Sequence, residues 1–303
     1  MEDRSAKQKN RCVKNVVLIS FVFIIMQIKM IKKLHSDTAG EFLNIFELHR
    51  VKPDYNALCE IVYKYMLRVP FENISKIYYK QKSGYEFFPD IKLYLEGIEK
   101  YNFGGTCYAN NYYLYLLLQY LGYEVKICGA DMSSPDVHLV IILNLDGKEY
   151  LIDAGNAAPF LKPMPCDLNV DYVINHGVDK YILKPKDENG NPRMELYKNG
   201  QLKHGYTAKH KARDISEFSE IIAGSFGDDA LFMNSLLLVK FFNNKTITIN
   251  NYSFKESSEN KTVLKELHSK EELIECIVKY FTMPEDIVSQ VINSLKEFRN
   301  TWD

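Results

Sequence analysis

Residues 104–122 read GGTCYANNYYLYLLLQYLG, and this stretch organises the chain around it. Gly104–Gly105 breaks the preceding pattern. From Thr106 to Leu121 the sequence is apolar nearly all round, which predicts a buried helix closed by Gly122. The helix is expected to begin at a cysteine. A nucleophilic thiolate needs partial exposure and a positive local potential, and a helix N-terminus offers amide donors and that potential together. At Cys107 the two glycines allow close backbone approach and Thr106 can cap the helix.

Upstream, from Thr38 onward, the pattern is helical. Phe42, Ile45, Phe46 and His49 recur at helical spacing within 41–49. Pro53–Asp54 then opens an amphipathic helix with Leu58, Ile61, Val62 and Tyr65 on one face, ending before Pro70, and 89–100 reads as a further helix. Downstream the signals turn to strands: EVKICGA, VHLVIIL, KEYLIDA, KYILKP and MELYKNGQLKHGY, separated by turns at Asp146–Gly147, Asn189–Gly190 and Asn199–Gly200. Closely spaced strands of this kind suggest a small barrel or sandwich. In the tail, 214–223 reads as helix and NSLLLVKFF with KTITINNYSF as a hairpin across Asn243–Asn244. Ser269 with Glu272 forms a capping box for a helix ending near Phe281, and Pro284 opens a last helix to Phe298.

Composition limits the functions open to this chain. Its 303 residues carry 38 basic and 39 acidic side chains, a net charge of −1, which argues against a dominant nucleic-acid role. The six cysteines form no CxxC or short Cys–His pair, favouring separate thiols in a reducing, cytoplasmic setting over a disulfide framework or a metal site. Cys12 lies in a basic segment, Cys59 and Cys276 inside amphipathic helices, Cys128 in a strand and Cys166 in a Pro-rich loop. None matches the setting of Cys107, although a thiol simply packed at a helix start remains the competing view of that residue.

A hairpin supplies candidate partners. With Asp146–Gly147 as a two-residue turn, Leu145 pairs with Lys148 and Asp153 falls opposite Val140, diagonal to His138 on the same face. Diagonal positions lie roughly 7–8 Å apart at the backbone, within reach of two polar side chains. Both residues stand in apolar runs, where burial without a partner is costly, so a His–Asp pair is expected. The pair alone is compatible with a purely structural role. With a cysteine at a helix start, the order Cys, His, Asp is that of papain-like enzymes.

RVPFENIS (68–75), GGTCYANN (104–111), HLVIIL (138–143) and YLIDAG (150–155) together resemble the arylamine N-acetyltransferases, in that order and at compatible spacing. LKPMP (161–165) and the stretch 232–254 extend the resemblance, which covers about 33–288. It implies an α+β, multi-domain, papain-like cysteine-enzyme fold: a helical bundle (31–122), a β-barrel (123–212) and an α/β lid (213–303). It implies acetyl-CoA as donor, a small arylamine, hydrazine or hydroxylamine as acceptor, no metal, and Cys107, His138 and Asp153 as the catalytic triad. Phe71, Val137 and Thr106 are the substrate-binding residues it suggests, with Glu72 and Asn73 as structural supports. The chain departs from the family at Phe103 and Ala109, where Arg and Glu are usual, at Ile45–Phe46–Glu47 and at Asn156–Ala157. The 107–138 interval is also short. An amide hydrolase of transglutaminase or papain type, an amide synthase moving a larger acyl group, and a descendant without activity are the alternatives.

Residues 1–30 stand apart. Val16–Ile28 is a 13-residue apolar run between basic flanks. A spanning helix wants about 20 apolar residues, and no small-residue cleavage site follows. An extension outside the fold, a short membrane-surface or anchor segment giving weak membrane contact through 16–28, and a helix packed on the core are the readings open to it.

Overall fold

The computed structural model describes residues 32–258 and 261–299, so the segment 1–30, with its apolar run, lies outside the described residues. Among the described residues five helices come first: α1 (Ser36–Ile45), α2 (Tyr55–Arg68), α3 (Ile74–Ser83), α4 (Ile91–Tyr101) and α5 (Cys107–Tyr120). Asp54 and Asp90 cap α2 and α4, accepting from the N–H of Ala57 and Leu93. α5 begins at the thiol and buries ten of its fourteen residues, as its all-round apolar sequence requires. The first helix differs from the expected 41–49 span. It starts at Ser36 and stops at Ile45 because Glu47 takes a left-handed φ of 52°. His49 is exposed, and Leu43 and Leu48 enter the core instead. α3, which follows the PFEN stretch, was not marked by the sequence as a separate helix.

Eight strands follow: β1 (Glu124–Asp131), β2 (His138–Leu145), β3 (Lys148–Ile152), β4 (Met164–Pro165), β5 (Tyr172–His176), β6 (Asp179–Lys184), β7 (Arg193–Lys198) and β8 (Gln201–Ala208). They form one antiparallel, barrel-like sheet in the order β4-β3-β2-β1-β8-β7-β6-β5, with β4 and β5 as its edges. The Asp146–Gly147 turn has both residues at positive φ, 51° and 75°, and Leu145 pairs with Lys148 and Ile141 with Ile152 as expected. Asn199–Gly200 makes the same kind of turn between β7 and β8.

The tail is a short 3₁₀ turn (Ile215–Phe218), α6 (Ser219–Gly224), the strands β9 (Leu237–Phe241), β10 (Lys245–Asn250), β11 (Ser253–Ser258) and β12 (Thr262–Glu266), then α7 (Lys270–Phe281) and α8 (Glu285–Ser294). The hairpin across Asn243–Asn244 forms, but its second arm is two strands, because Asn251 turns the chain at a φ of 51°. Ser269 caps α7 by accepting from Glu272 N–H, while the Glu272 carboxylate reaches the His268 N–H one residue further back. α8 stops at Ser294, short of Phe298.

Three apolar cores result. α1, α2, α4 and α5 share one with Leu139, Ile141 and Leu143 of β2 and with Leu237, Val239 and Phe241 of β9. The opposite face of β2, Val140 and Ile142, joins Cys128, Tyr181, Leu183, Met194 and Tyr206 in the sheet interior. α3 packs with Leu236, Leu238, β10, β11, α7 and α8, so a helix from the first third of the chain shares its core with the tail. β2 is apolar on both faces because it separates two of these cores.

Candidate active site

β2 enters at His138, whose side chain lies on the sheet-interior face, and β3 ends just before Asp153. The His138 Nε2 and Asp153 Oδ2 atoms are 2.9 Å apart, with the residues only 2% and 1% exposed. The same oxygen accepts from the Tyr206 hydroxyl at 2.8 Å; Oδ1 accepts from Asn111 Nδ2 at 2.9 Å and from Gly155 N–H at 3.2 Å. The buried carboxylate therefore has four donors. Burial raises its pKa, but His138 and the hydrogen bonds outweigh that and hold it below its ordinary value. Asn111, one turn along α5 from Cys107, also donates to Leu139 O at 2.5 Å and accepts from Ala154 N–H at 2.7 Å. It clips both strands of the hairpin to the helix that carries the thiol.

Cys107 is half-buried, 3.9 Å from the Val137 carbonyl oxygen and within hydrogen-bonding reach of the His138 ring. Because Nε2 faces Asp153, the nitrogen left for the thiol is Nδ1. Burial would lower the His138 pKa; the Asp153 carboxylate, with Cys107, outweighs burial and lifts it to about 10. Burial pushes the thiols of Cys128 and Cys166 up to about 12, leaving them poor nucleophiles.

Two close approaches hold this geometry. A Cβ at Gly155 would lie 2.5 Å from Cys107 Cα and 2.7 Å from Cys107 O, so the 153–155 turn rests directly on the start of α5. A Cβ at Gly104 would lie 1.9 Å from Pro70 O, where the loop before the cysteine crosses the PFEN segment. Glu72, fully buried, accepts from Gly104 N–H at 3.0 Å and Ser75 N–H at 2.9 Å; burial raises its pKa against those hydrogen bonds. Asn73 donates to the carbonyls of Phe232 and Ser235 and accepts from Leu237 N–H. Phe71 bridges Gly105 on one side and Val239 on the other. The PFEN stretch thus ties the cysteine loop to the tail.

Of the expected substrate-side residues, Phe71 sets its ring against Phe232 at 5.8 Å, and Val137 lies over the thiol. Thr106 lines a cavity beside α5, and it occupies the N-cap position, but its side chain accepts no hydrogen bond from the helix, which corrects the capping expected of it. The first-turn N–H groups of α5 therefore have no hydroxyl cap. At the departures from the family pattern, apolar packing fills the space. Phe103 is buried against the rings of Tyr78, Tyr79 and Tyr101, and Ala109 is buried in the other core, its Cβ close against Gly105. The sequence does not mark Tyr206 and Gly155 as partners of Asp153. Tyr206 is one aromatic in an ordinary strand pattern, and no local signal marks its hydroxyl as a partner of Asp153. Among the described residues no group of three or more His, Cys, Asp or Glu side chains is placed to hold a metal.

A family model described as N-acetyltransferase matches residues 54–288. The chain belongs to the arylamine N-acetyltransferase family. It is similar to the pineal gland isozyme of arylamine N-acetyltransferase from Gallus gallus, 29% identical across 55% of this chain and 64% of that protein. It is also similar to arylamine N-acetyltransferase 1 from Oryctolagus cuniculus, 28% identical across 39% of this chain and 42% of that protein. The matches thus span less than two thirds of these relatives' length. Among solved structures, the arylamine N-acetyltransferase from Salmonella typhimurium superposes with a TM-score of 0.71 at 14% identity, covering 86% of this chain and all of that one. That from Bacillus anthracis gives 0.66 at 21% identity, covering 83% of this chain and all of the other. These likenesses establish the fold.

Proposed function

We propose that this chain transfers an acetyl group from acetyl-CoA through Cys107 to an amine acceptor, in two half-reactions. The observation that carries it is the buried His138–Asp153 pair set against a half-buried thiol at the first residue of a helix. His138 Nδ1 takes the thiol proton, and Asp153 holds the resulting imidazolium. The thiolate adds to the thioester carbonyl. Collapse breaks the carbon–sulfur bond to CoA, which leaves with the proton from His138. The amine then adds to acetyl-Cys107, His138 removes its proton, and Cys107 departs as thiolate. Uncapped first-turn amides of α5 are the donors we assign to the oxyanion.

For the body of CoA we assign the cleft between β6–β7 and the β9–β12 sheet, which runs from Ala157 and Pro159 along Leu237 and Val239. His176 Nε2, Asp179 Oδ1 and Ser257 Oγ are buried there without a hydrogen-bond partner, and Lys255 donates to the other Asp179 oxygen at 2.8 Å. Buried polar atoms of this kind call for a polar ligand, and CoA carries hydroxyls, amides and phosphates. A cytoplasmic location belongs to the same reading, supported by the free thiols of Cys59, Cys107, Cys128, Cys166 and Cys276. Incubation with acetyl-CoA alone, followed by intact mass, tests the proposal. Wild type is expected to gain one acetyl group and Cys107→Ala none; equal gain by both, or none by wild type, refutes it.

A further inference from the structure

Asp136 sits in the loop 132–137 that joins β1 to β2, two residues before His138, and the chemistry above gives it no part. It takes a left-handed φ of 57°, a conformation that glycine, asparagine and aspartate reach more readily than most residues. Each of its polar groups is engaged. The N–H donates to Asp131 Oδ1 at 2.9 Å, and the carbonyl accepts from the hydroxyl of Tyr108, the residue after Cys107. Oδ1 accepts from Lys209 Nζ at 3.1 Å and Oδ2 from Arg213 Nη1 at 3.2 Å. Burial would raise the pKa of this carboxyl, but the two cations outweigh it and hold it below its ordinary value. Gly129 of β1 leaves the space for it: a Cβ there would lie 2.0 Å from Asp136 Oδ1.

These contacts converge on the thiol. Asp136 is followed by Val137, whose carbonyl oxygen stands 3.9 Å from Cys107 Sγ, and by His138 at the first position of β2. Its backbone is tied to α5, which carries the thiol, and its side chain to the segment after β8. That segment does not depend on the carboxylate. Lys209 also pairs with Asp131 at 2.8 Å and Arg213 with Glu217 at 2.6 Å, and the backbone N–H of each donates to a carbonyl of β1. Removing the carboxylate therefore strands neither cation and leaves the loop held through its backbone alone. Resting on the Cys107–His138 pairing of the proposed function, we propose that Asp136 is a positioning residue. Its ion pairs with Lys209 and Arg213 pin the 132–137 loop, so that Val137 and His138 keep their places at Cys107.

The test reads the rate at which iodoacetamide alkylates Cys107 at neutral pH, followed on the Cys107 peptide by mass spectrometry, beside the urea midpoint. Asp136→Gly adopts the left-handed φ freely, so it removes the carboxylate without adding backbone strain. It is expected to be alkylated about tenfold more slowly, with acetylation at saturating acetyl-CoA slowed alike and KM for acetyl-CoA within about twofold. Asp136→Asn keeps the shape and one acceptor oxygen, and should recover part of the rate. On top of Lys209→Met with Arg213→Met, Asp136→Gly should slow alkylation by less than about twofold, because its partners are already gone. A glycine variant within about threefold of wild type, or an undiminished loss in that double background, overturns the proposal. Should glycine lower the urea midpoint, Asp136→Asn decides: at an unchanged midpoint, alkylation as fast as wild type overturns it. Alkylation needs no CoA, so a wild type that gains no acetyl group defeats the acetyl-transfer reading and leaves this comparison standing.

Discussion

Replacing Gly155 with alanine tests the contact on which the candidate site rests. Gly155 is not in the left-handed region, so alanine meets no backbone penalty there. The effect is steric: the new Cβ would stand 2.5 Å from Cys107 Cα, where ordinary contact begins at 3.4 Å. Both sides are backbone, so the 153–155 turn must retreat from α5 by about 0.9 Å. Overpacking of this size costs about 1–3 kcal/mol of stability. The same displacement lengthens the path from Asp153 through His138 to the thiol, and a shift near 1 Å can lower rate about 10²-fold. Urea unfolding and the rate of Cys107 acetylation, read by quenched-flow mass spectrometry, measure the two effects. Gly147→Ala is the control. It has φ of +75° with nothing within 4 Å, so it should lose about 1–2 kcal/mol and leave acetylation intact. If Gly155→Ala keeps wild-type stability and an acetylation rate within about threefold, the close approach does not position the site and the reasoning fails.

Further outcomes follow from the same contacts. Tyr206→Phe removes one of the four donors to the buried Asp153 carboxylate and should cost about 1.5–3 kcal/mol in urea unfolding, with slower alkylation of Cys107. The His138 ring should stay protonated from pH 6 to 8.5 when followed by NMR, and Asp153→Asn should drop its titration below the ordinary value, since burial then dominates. Because the folded pKa of His138, about 10, lies above its unfolded value, its stabilising contribution is complete below about pH 6.5 and fades as pH rises toward 10. Stability that rises over that interval would contradict this sign. Gly40→Ala, inside α1 with nothing within 4 Å of a new Cβ, should stabilise the protein by about 0.5–1 kcal/mol in the same denaturation assay.

Local sequence rules determined a good part of the site. Asp146–Gly147 demands a turn with two positive φ values, that turn sets the β2–β3 register, and the register puts His138 and Asp153 on one side. The glycine break before an all-round apolar run likewise placed Cys107 at the first residue of α5. Where periodicity was short the boundaries slipped: α1 ended at Ile45, two residues before left-handed Glu47, and the arm after Asn244 split at Asn251, both through single left-handed residues that a hydrophobic pattern does not register. Only the tertiary structure decided what meets across the chain. Tyr206 reaches Asp153 from 53 residues away, and Lys76 finds Ser225 across 149. A period reports which face of an element is apolar, but not which distant element will cover it or which of its hydroxyls will meet a buried charge. The sequence therefore specified a candidate nucleophile and a candidate His–Asp pair, while packing alone brought them together, rested the 153–155 turn on the helix that starts at Cys107 and left Lys76 buried beside it.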